Sequence, residues 1–212
     1  MCGRFVIDDT DTIKEMRQIF EEIKKHYGDT VEFQNVKKGE IRPTDTVPII
    51  IPEQSTRIDT IPMQWGIKGY NGTLLINARS EGVYDKKMFK DSIKNKRCII
   101  PTNGFYEWAN LENTGSRKDK YLIMPKDTPM LYFAGIYEKL PDPLIPGKEQ
   151  VRFVIMTREA RGLIRSLHHR MPVTVEKRYI LKWLNGDKND INDFFIDTNV
   201  PEYSFTNLGK VG

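Results

Sequence analysis

The sequence predicts an α+β chain dominated by antiparallel strands, and three observations lead there. Short runs rich in β-branched and aromatic residues recur through its 212 residues, separated by Gly, Pro and Asn turn signals. Few stretches carry apolar residues at helical spacing. No repeat, low-complexity tract or linker divides the chain, so one domain over residues 1–212 is the economical reading.

Cys2 to Ile7 reads as a short strand, with 8–12 as a turn. Thr12 and Glu15 have capping-box spacing, and Ile13, Met16, Phe20 and Ile23 share one helical face. A helix is expected to run to His26 and to end at Gly28-Asp29. Val47–Ile51 reads as a strand that Pro48 holds to an edge or to its first positions. Ile61–Ile67 and Leu74–Asn77 read as strands joined through a turn at Gly69–Gly72. Met88–Ile93 suits a short helix. Four β-rich runs follow: Arg97–Pro101, Gly104–Trp108, Tyr121–Met124 and Met130–Glu138. Pro141–Gly147 reads as an exposed loop and Val151–Thr157 as a strand. Arg158–Leu167 reads as a helix with Arg158, Arg161 and Arg165 on one face. Lys177–Leu184 reads as another, closed by Asn185-Gly186, and the tail from Asp187 is polar, then mixed.

The totals exclude several function classes. A net charge of +4 is mildly basic, which suits a polyanionic partner without demonstrating one. No apolar run approaches a membrane span, and residues 1–20 lack the apolar core of a signal peptide. A cytoplasmic protein with no membrane partner is expected, nucleoid-associated in a bacterium. In that reducing compartment Cys2 and Cys98 are not expected to pair. Three histidines without a CxxC or HExxH motif give a zinc site no support, so neither metal nor cofactor is expected.

Cys2, directly behind Met1, is the residue with unusual chemistry. Loss of Met1 would leave an α-amine and a thiol on one residue. Such an aminothiol condenses with an aldehyde to an imine, which the thiol closes to a thiazolidine. An α-amine, with a pKa near 7.7–8.0 against about 10.4 for lysine, is unprotonated roughly 300 times more often at neutral pH. The plainer reading makes Cys2 a small buried hydrophobe at the start of a strand.

Four polar clusters accompany it. Asn77, Arg79 and Glu81 end an apolar strand, as a solvated cap or as a phosphate site for the Arg79 guanidinium. Glu107 lies between Tyr106 and Trp108, facing solvent by alternation or enclosed with a raised pKa. His168, His169 and Arg170 either place positive charge at a helix C-terminus or include a proton shuttle. Trp65 before Gly66 is a core residue or a stacking platform for bases.

Taken together, MCGRF at 1–5, WG at 65–66, NARSE at 77–81, RCIIPTNGFYEW at 97–108 and HHRMP at 168–172 resemble the SRAP family. These are SOS-response-associated peptidase-like, abasic-site processing proteins, and the motifs match in order and spacing over residues 1–185. The resemblance implies that Cys2, after loss of Met1, captures the ring-opened abasic sugar in single-stranded DNA as a thiazolidine crosslink. It implies that Asn77 contacts the opened sugar, that Glu107 assists imine formation and that His168 moves protons. It assigns phosphate contacts to Arg4, Arg79 and Arg170, support of displaced bases to Trp65, and a position near the DNA to Thr157. Two departures stand out: Glu40 where the family's N-x-x-P-T segment has asparagine, and WGIKGY at 65–70 for WGL-x-P-x-W.

The fold expected is a single α+β domain with a mainly antiparallel, barrel-like β core and a few flanking helices. The function expected is abasic-site crosslinking by a monomer, with lyase and self-processing peptidase activity as side paths. Two rivals are a cysteine peptidase with Cys2 as N-terminal nucleophile and a non-enzymatic module that binds single-stranded nucleic acid.

Overall fold

The computed structural model describes residues 2–10, 13–54, 56–109, 118–142, 145–196 and 201–210. In chain order the strands begin with β1 (Arg4–Ile7), β2 (Gly39–Ile41), β3 (Thr46–Gln54) and β4 (Arg57–Trp65). Three short ones follow, β5 (Ile67–Lys68), β6 (Leu74–Leu75) and β7 (Asn77–Arg79), then β8 (Arg97–Thr102), β9 (Gly104–Ala109) and β10 (Asp119–Pro125). The last are β11 (Leu131–Pro141), β12 (Glu149–Glu159), β13 (Arg170–Pro172) and β14 (Tyr203–Lys210). The helices are α1 (Lys14–Tyr27), α2 (Val31–Gln34), α3 (Ser92–Asn95), α4 (Ile164–Leu167), α5 (Ile180–Asn185) and α6 (Lys188–Ile196).

The chain forms an α+β domain, mostly sheet. Strands β11, β8, β3, β4 and β12 pair in that order, and β12 pairs back to β11, so they close into a barrel. A second sheet, in the order β14-β10-β9-β1-β2, packs against it. Alternation explains the packing: Phe5 and Ile7 of β1 are buried while Arg4 and Val6 are not. Phe5 meets Trp65 at 5.0 Å and Phe133 at 6.4 Å between ring centroids, and Phe105 meets Phe133 at 5.8 Å. Each such ring removed from water contributes about 1.5–3 kcal/mol.

The expected helix from residue 13 is α1, burying Met16, Ile19, Phe20 and Ile23. Thr12 of the expected capping box lies outside the described residues. Every position of β8 is buried, because the strand lies within the barrel and α5, α3 and β1 pack against it. Trp183 of α5 donates its indole N–H to the Cys98 carbonyl at 2.9 Å. The Arg97 guanidinium donates to the carbonyls of Ile93, Lys94, Trp183, Leu184 and Gly186. Arg97 therefore caps the C-terminal ends of α3 and α5, where helix carbonyls lack partners and favour a cation.

Several expectations are overturned. β3 is an inner strand of the barrel rather than an edge, and Pro48 is its third residue, an entry position two residues ahead of the Ile50–Ile99 pairing with β8. Pro48 stands opposite Pro62, where two prolines form a pair that exchanges no N–H···O bonds. Arg158 is not helical: β12 runs through Glu159, held there by β7 on one side and β13 on the other. Its buried side chain donates to the Phe194 carbonyl, and only Ile164–Leu167 is helical. The short helix expected at Met88–Ile93 shifts to α3. Pro141 lies within the β11–β12 hairpin ladder, opposite Glu149, rather than in a loop. The tail beyond Asp187 carries α6 and the edge strand β14.

Candidate active site

Three strands from different parts of the chain bring the polar residues together at the seam of the two sheets. Cys2 precedes β1, which pairs with β9 through Arg4 opposite Tyr106 and Phe5 opposite Phe105. Asn77 arrives by another route. Strand β4 ends parallel to β12 at Phe153, the chain leaves in the β5–β6 hairpin, and β7 returns to β12 beside Ile155. The excursion starts at Gly66, whose φ of +110° suits glycine and whose added Cβ would lie 2.8 Å from a Leu74 methyl.

The Asn77 amide donates to the Cys2 carbonyl at 3.0 Å, across the seam. Its Oδ1 is buried without a hydrogen-bond partner among the described residues. Cys2 is fully buried, with its Sγ 3.7 Å from the Arg4 carbonyl. Burial, and then the charge of Glu107, push the Cys2 thiol pKa well above its usual value, so the thiol stays protonated. Glu107 faces inward from β9 and is 3% exposed, which settles its orientation: enclosed, not solvent-side. Burial raises its carboxyl pKa.

His168 ends α4, which packs against both β9 and β13. The Arg170 backbone N–H donates to His168 Nδ1 at 2.9 Å. With Nδ1 accepting, the neutral ring carries its proton on Nε2. Desolvation, and then neighbouring positive charge including His169, lower the His168 pKa to about 4. At neutral pH it is an uncharged N–H donor. The two rings stack at 4.3 Å.

The arginines fall into two groups. Arg170 is 7% exposed and makes a bidentate pair with Glu81, both contacts at 2.8 Å, while also donating to the Thr157 carbonyl at 2.7 Å. Beside it lies a groove of about 500 Å³ lined by Arg79, Lys86, Arg165, His169 and Arg170, with Glu81 and Glu159 among them. Arg4 does not line this groove and pairs with Glu40. Lys86 carried no signal in the sequence, whereas Glu81 stood there as part of a polar cluster and Glu40 as a departure from the family pattern, neither with an assigned role.

Two expected contacts do not survive in their direct form. Trp65 is fully buried: it stacks on Phe153 at 6.4 Å and donates its N–H to the Ile76 carbonyl at 2.9 Å. No face of the ring is left for a base. Thr157 is equally buried, and its carbonyl accepts from Arg170. Trp65→Ala is therefore expected to cost about 3–5 kcal/mol of stability. A lowered urea midpoint checks this; lost DNA binding with unchanged stability would restore the stacking role.

Among the described residues no His, Cys, Asp and Glu group is placed to hold a metal, and no helix is long and apolar enough to cross a membrane.

The family described as SOS response associated peptidase (SRAP) matches residues 1–207. The chain is 32% identical over 197 residues to the Abasic site processing protein YoqW of Bacillus subtilis, covering 90% of this chain and 83% of that protein. It is 26% identical over 192 residues to the Abasic site processing protein YedK of Escherichia coli, covering 88% and 81%. A crystal structure of a protein from Bacteroides thetaiotaomicron matches with a TM-score of 0.73 and 25% identity, over 96% of this chain and 91% of that one.

Proposed function

The chain belongs to the SRAP family, and from that membership we propose that it recognises abasic sites in DNA and captures them through Cys2 as a thiazolidine crosslink. The observation that carries this reading is the closure of Asn77 and Glu107 around Cys2. An enclosed carboxylic acid and an amide with a spare buried acceptor suit a reaction that must protonate a hydroxyl and hold a sugar.

After removal of Met1, the Cys2 α-amine adds to C1′ of the ring-opened sugar. Glu107, whose carboxyl pKa burial raises, gives a proton to the carbinolamine hydroxyl, which leaves as water. The thiol then adds to the imine carbon and its proton passes to the imine nitrogen, closing the ring. Aldehyde and aminothiol become thiazolidine and one water, without an oxidant. His168 donates through Nε2–H as the sugar opens, and Asn77 Oδ1 accepts from a sugar hydroxyl. Arg79, Arg170 and Arg4 hold the flanking phosphates, a sequence-independent contact. An extended single strand suits the site, since a stacked duplex keeps C1′ out of reach.

The protonated thiol also separates this reading from the peptidase one. A cysteine hydrolase needs a thiolate, made by a neighbouring cation or base. Here burial and Glu107 act the opposite way. A denaturing gel of mature protein with a single-stranded oligonucleotide carrying one abasic site is expected to show a heat-stable shifted band. No covalent species under any condition would overturn the proposal.

A further inference from the structure

The outer face of the second sheet carries a charge cluster of which the crosslinking reading uses only Arg4, leaving Glu40 and Lys120 without a role. Glu40 on β2 stands opposite Val6 on β1, and Arg4 projects from the same face of β1 two residues away. On the far side, Lys120 of β10 stands opposite Trp108 of β9. The three charged side chains converge: Glu40 accepts from Arg4 through one carboxylate oxygen, at 2.5 Å, and from Lys120 through the other.

Their floor is aromatic. The Lys120 ammonium lies 4.1 Å from the centre of Tyr106 and 5.7 Å from that of Trp108, and the Arg4 guanidinium lies 5.9 Å from Trp108. The Lys120 side chain is only 13% exposed, against 26% for Glu40 and 30% for Arg4. Glu40 thus bridges the two cations, and the cluster presents a net charge of one where the cations alone would present two. An asparagine at this position, as in the family pattern, would offer an amide and no counter-charge.

We propose that Glu40 is a resident competitor of DNA phosphate: it occupies Arg4 and Lys120, an incoming phosphate must displace it, and the hold on undamaged strands is thereby kept weak. This rests on the crosslinking reading above. A protein that fixes its target covalently gains nothing from clinging to intact DNA, and phosphate contacts are blind to damage. Glu40 lowers the phosphate-driven part of binding and leaves the covalent step to supply the hold. It is a specificity residue, and it touches no reacting atom.

The test compares wild type, Glu40→Gln and Glu40→Asp by fluorescence anisotropy on an intact labelled single strand, from about 50 to 200 mM salt. Glu40→Gln is expected to bind roughly tenfold tighter at the low end, since a charge at an interface rim acts mainly through electrostatic attraction. The log–log salt slope should steepen by about 0.7, the contribution of the one further phosphate that the extra net charge neutralises on a single strand. Adding Lys120→Gln to Glu40→Gln returns the cluster to a net charge of one and should remove about all of that steepening. Glu40→Asp, whose shorter side chain reaches both cations less well, should show a smaller gain. A folding defect weakens binding, so tighter binding cannot arise from one.

Adduct formation on an abasic strand runs in parallel, with its saturating rate expected to change by less than about twofold. If wild type forms the adduct but neither variant binds intact DNA more tightly, Glu40 is a structural bridge and the proposal is overturned. If wild type neither binds a strand nor forms an adduct, the crosslinking reading itself has failed, and this proposal falls with it.

Discussion

Cys2→Ala is expected to abolish the heat-stable adduct while leaving a borohydride-trappable species behind. The two halves of the aminothiol act in sequence, and alanine removes only the second. With Met1 processed, the variant's new N-terminal residue would still carry the α-amine, so the imine forms and reduction locks it as a secondary amine. Without the thiol the imine is not withdrawn, and it permits β-elimination of the 3′ phosphate. Cleaved strand should therefore accumulate where wild type gives intact, crosslinked strand. Loss of unreduced adduct should be on the order of a thousandfold or more, the scale seen when a covalent nucleophile is deleted. Cys2→Ser should behave like Cys2→Ala, because an oxazolidine reverts more readily than a thiazolidine. A preparation retaining Met1 should give no heat-stable adduct, since its Cys2 nitrogen is an amide and no aminothiol remains. An undiminished adduct from Cys2→Ala would move the chemistry to a lysine and end the Cys2 mechanism.

How much of this was legible in the sequence depends on how far apart the partners lie. α1 and the β5–β6 turn carry their information locally, in apolar spacing and in glycines, and both occur where the sequence placed them. Arg158–Leu167 has equally good local spacing for a helix, yet pairing on both sides of β12 holds Arg158 in the sheet. Pro48 sits in an inner strand because its pair with Pro62 exchanges no N–H···O bond and the pairing with β8 comes two residues later, at Ile50. The site divides the same way. Motif and chemistry singled out Cys2, Asn77 and Glu107, which lie together, and the face of β9 decided that Glu107 is enclosed. Whether Trp65 was core or platform could not be read locally, since Phe5 and Phe153, which cover it, come from distant strands. The same holds for Glu40, whose partners Arg4 and Lys120 meet it through the register of four strands.

Glu107→Gln separates the catalytic and structural roles of the enclosed carboxyl, because the two predict opposite changes in stability. Burial raises the Glu107 pKa, so its favourable contribution to folding is fully present below the unfolded-state pKa and is lost as pH rises through the folded value. Glutamine carries no charge to desolvate. The variant is therefore expected to be as stable as wild type in acid and more stable at neutral pH and above, read as a higher urea midpoint. Adduct formation should nevertheless slow by about 10²–10⁴, the usual worth of a positioned general acid. The pH profile sharpens the test. The Cys2 amine must lose its proton to attack, so the rate rises with pH; Glu107 must keep its proton to expel water, so the rate falls again at higher pH. Wild type should give a bell, and Glu107→Gln should keep the rising limb and lose the falling one. A slower variant whose bell keeps both limbs would show that Glu107 shapes the site without donating the proton, and the acid would then have to be sought in His168.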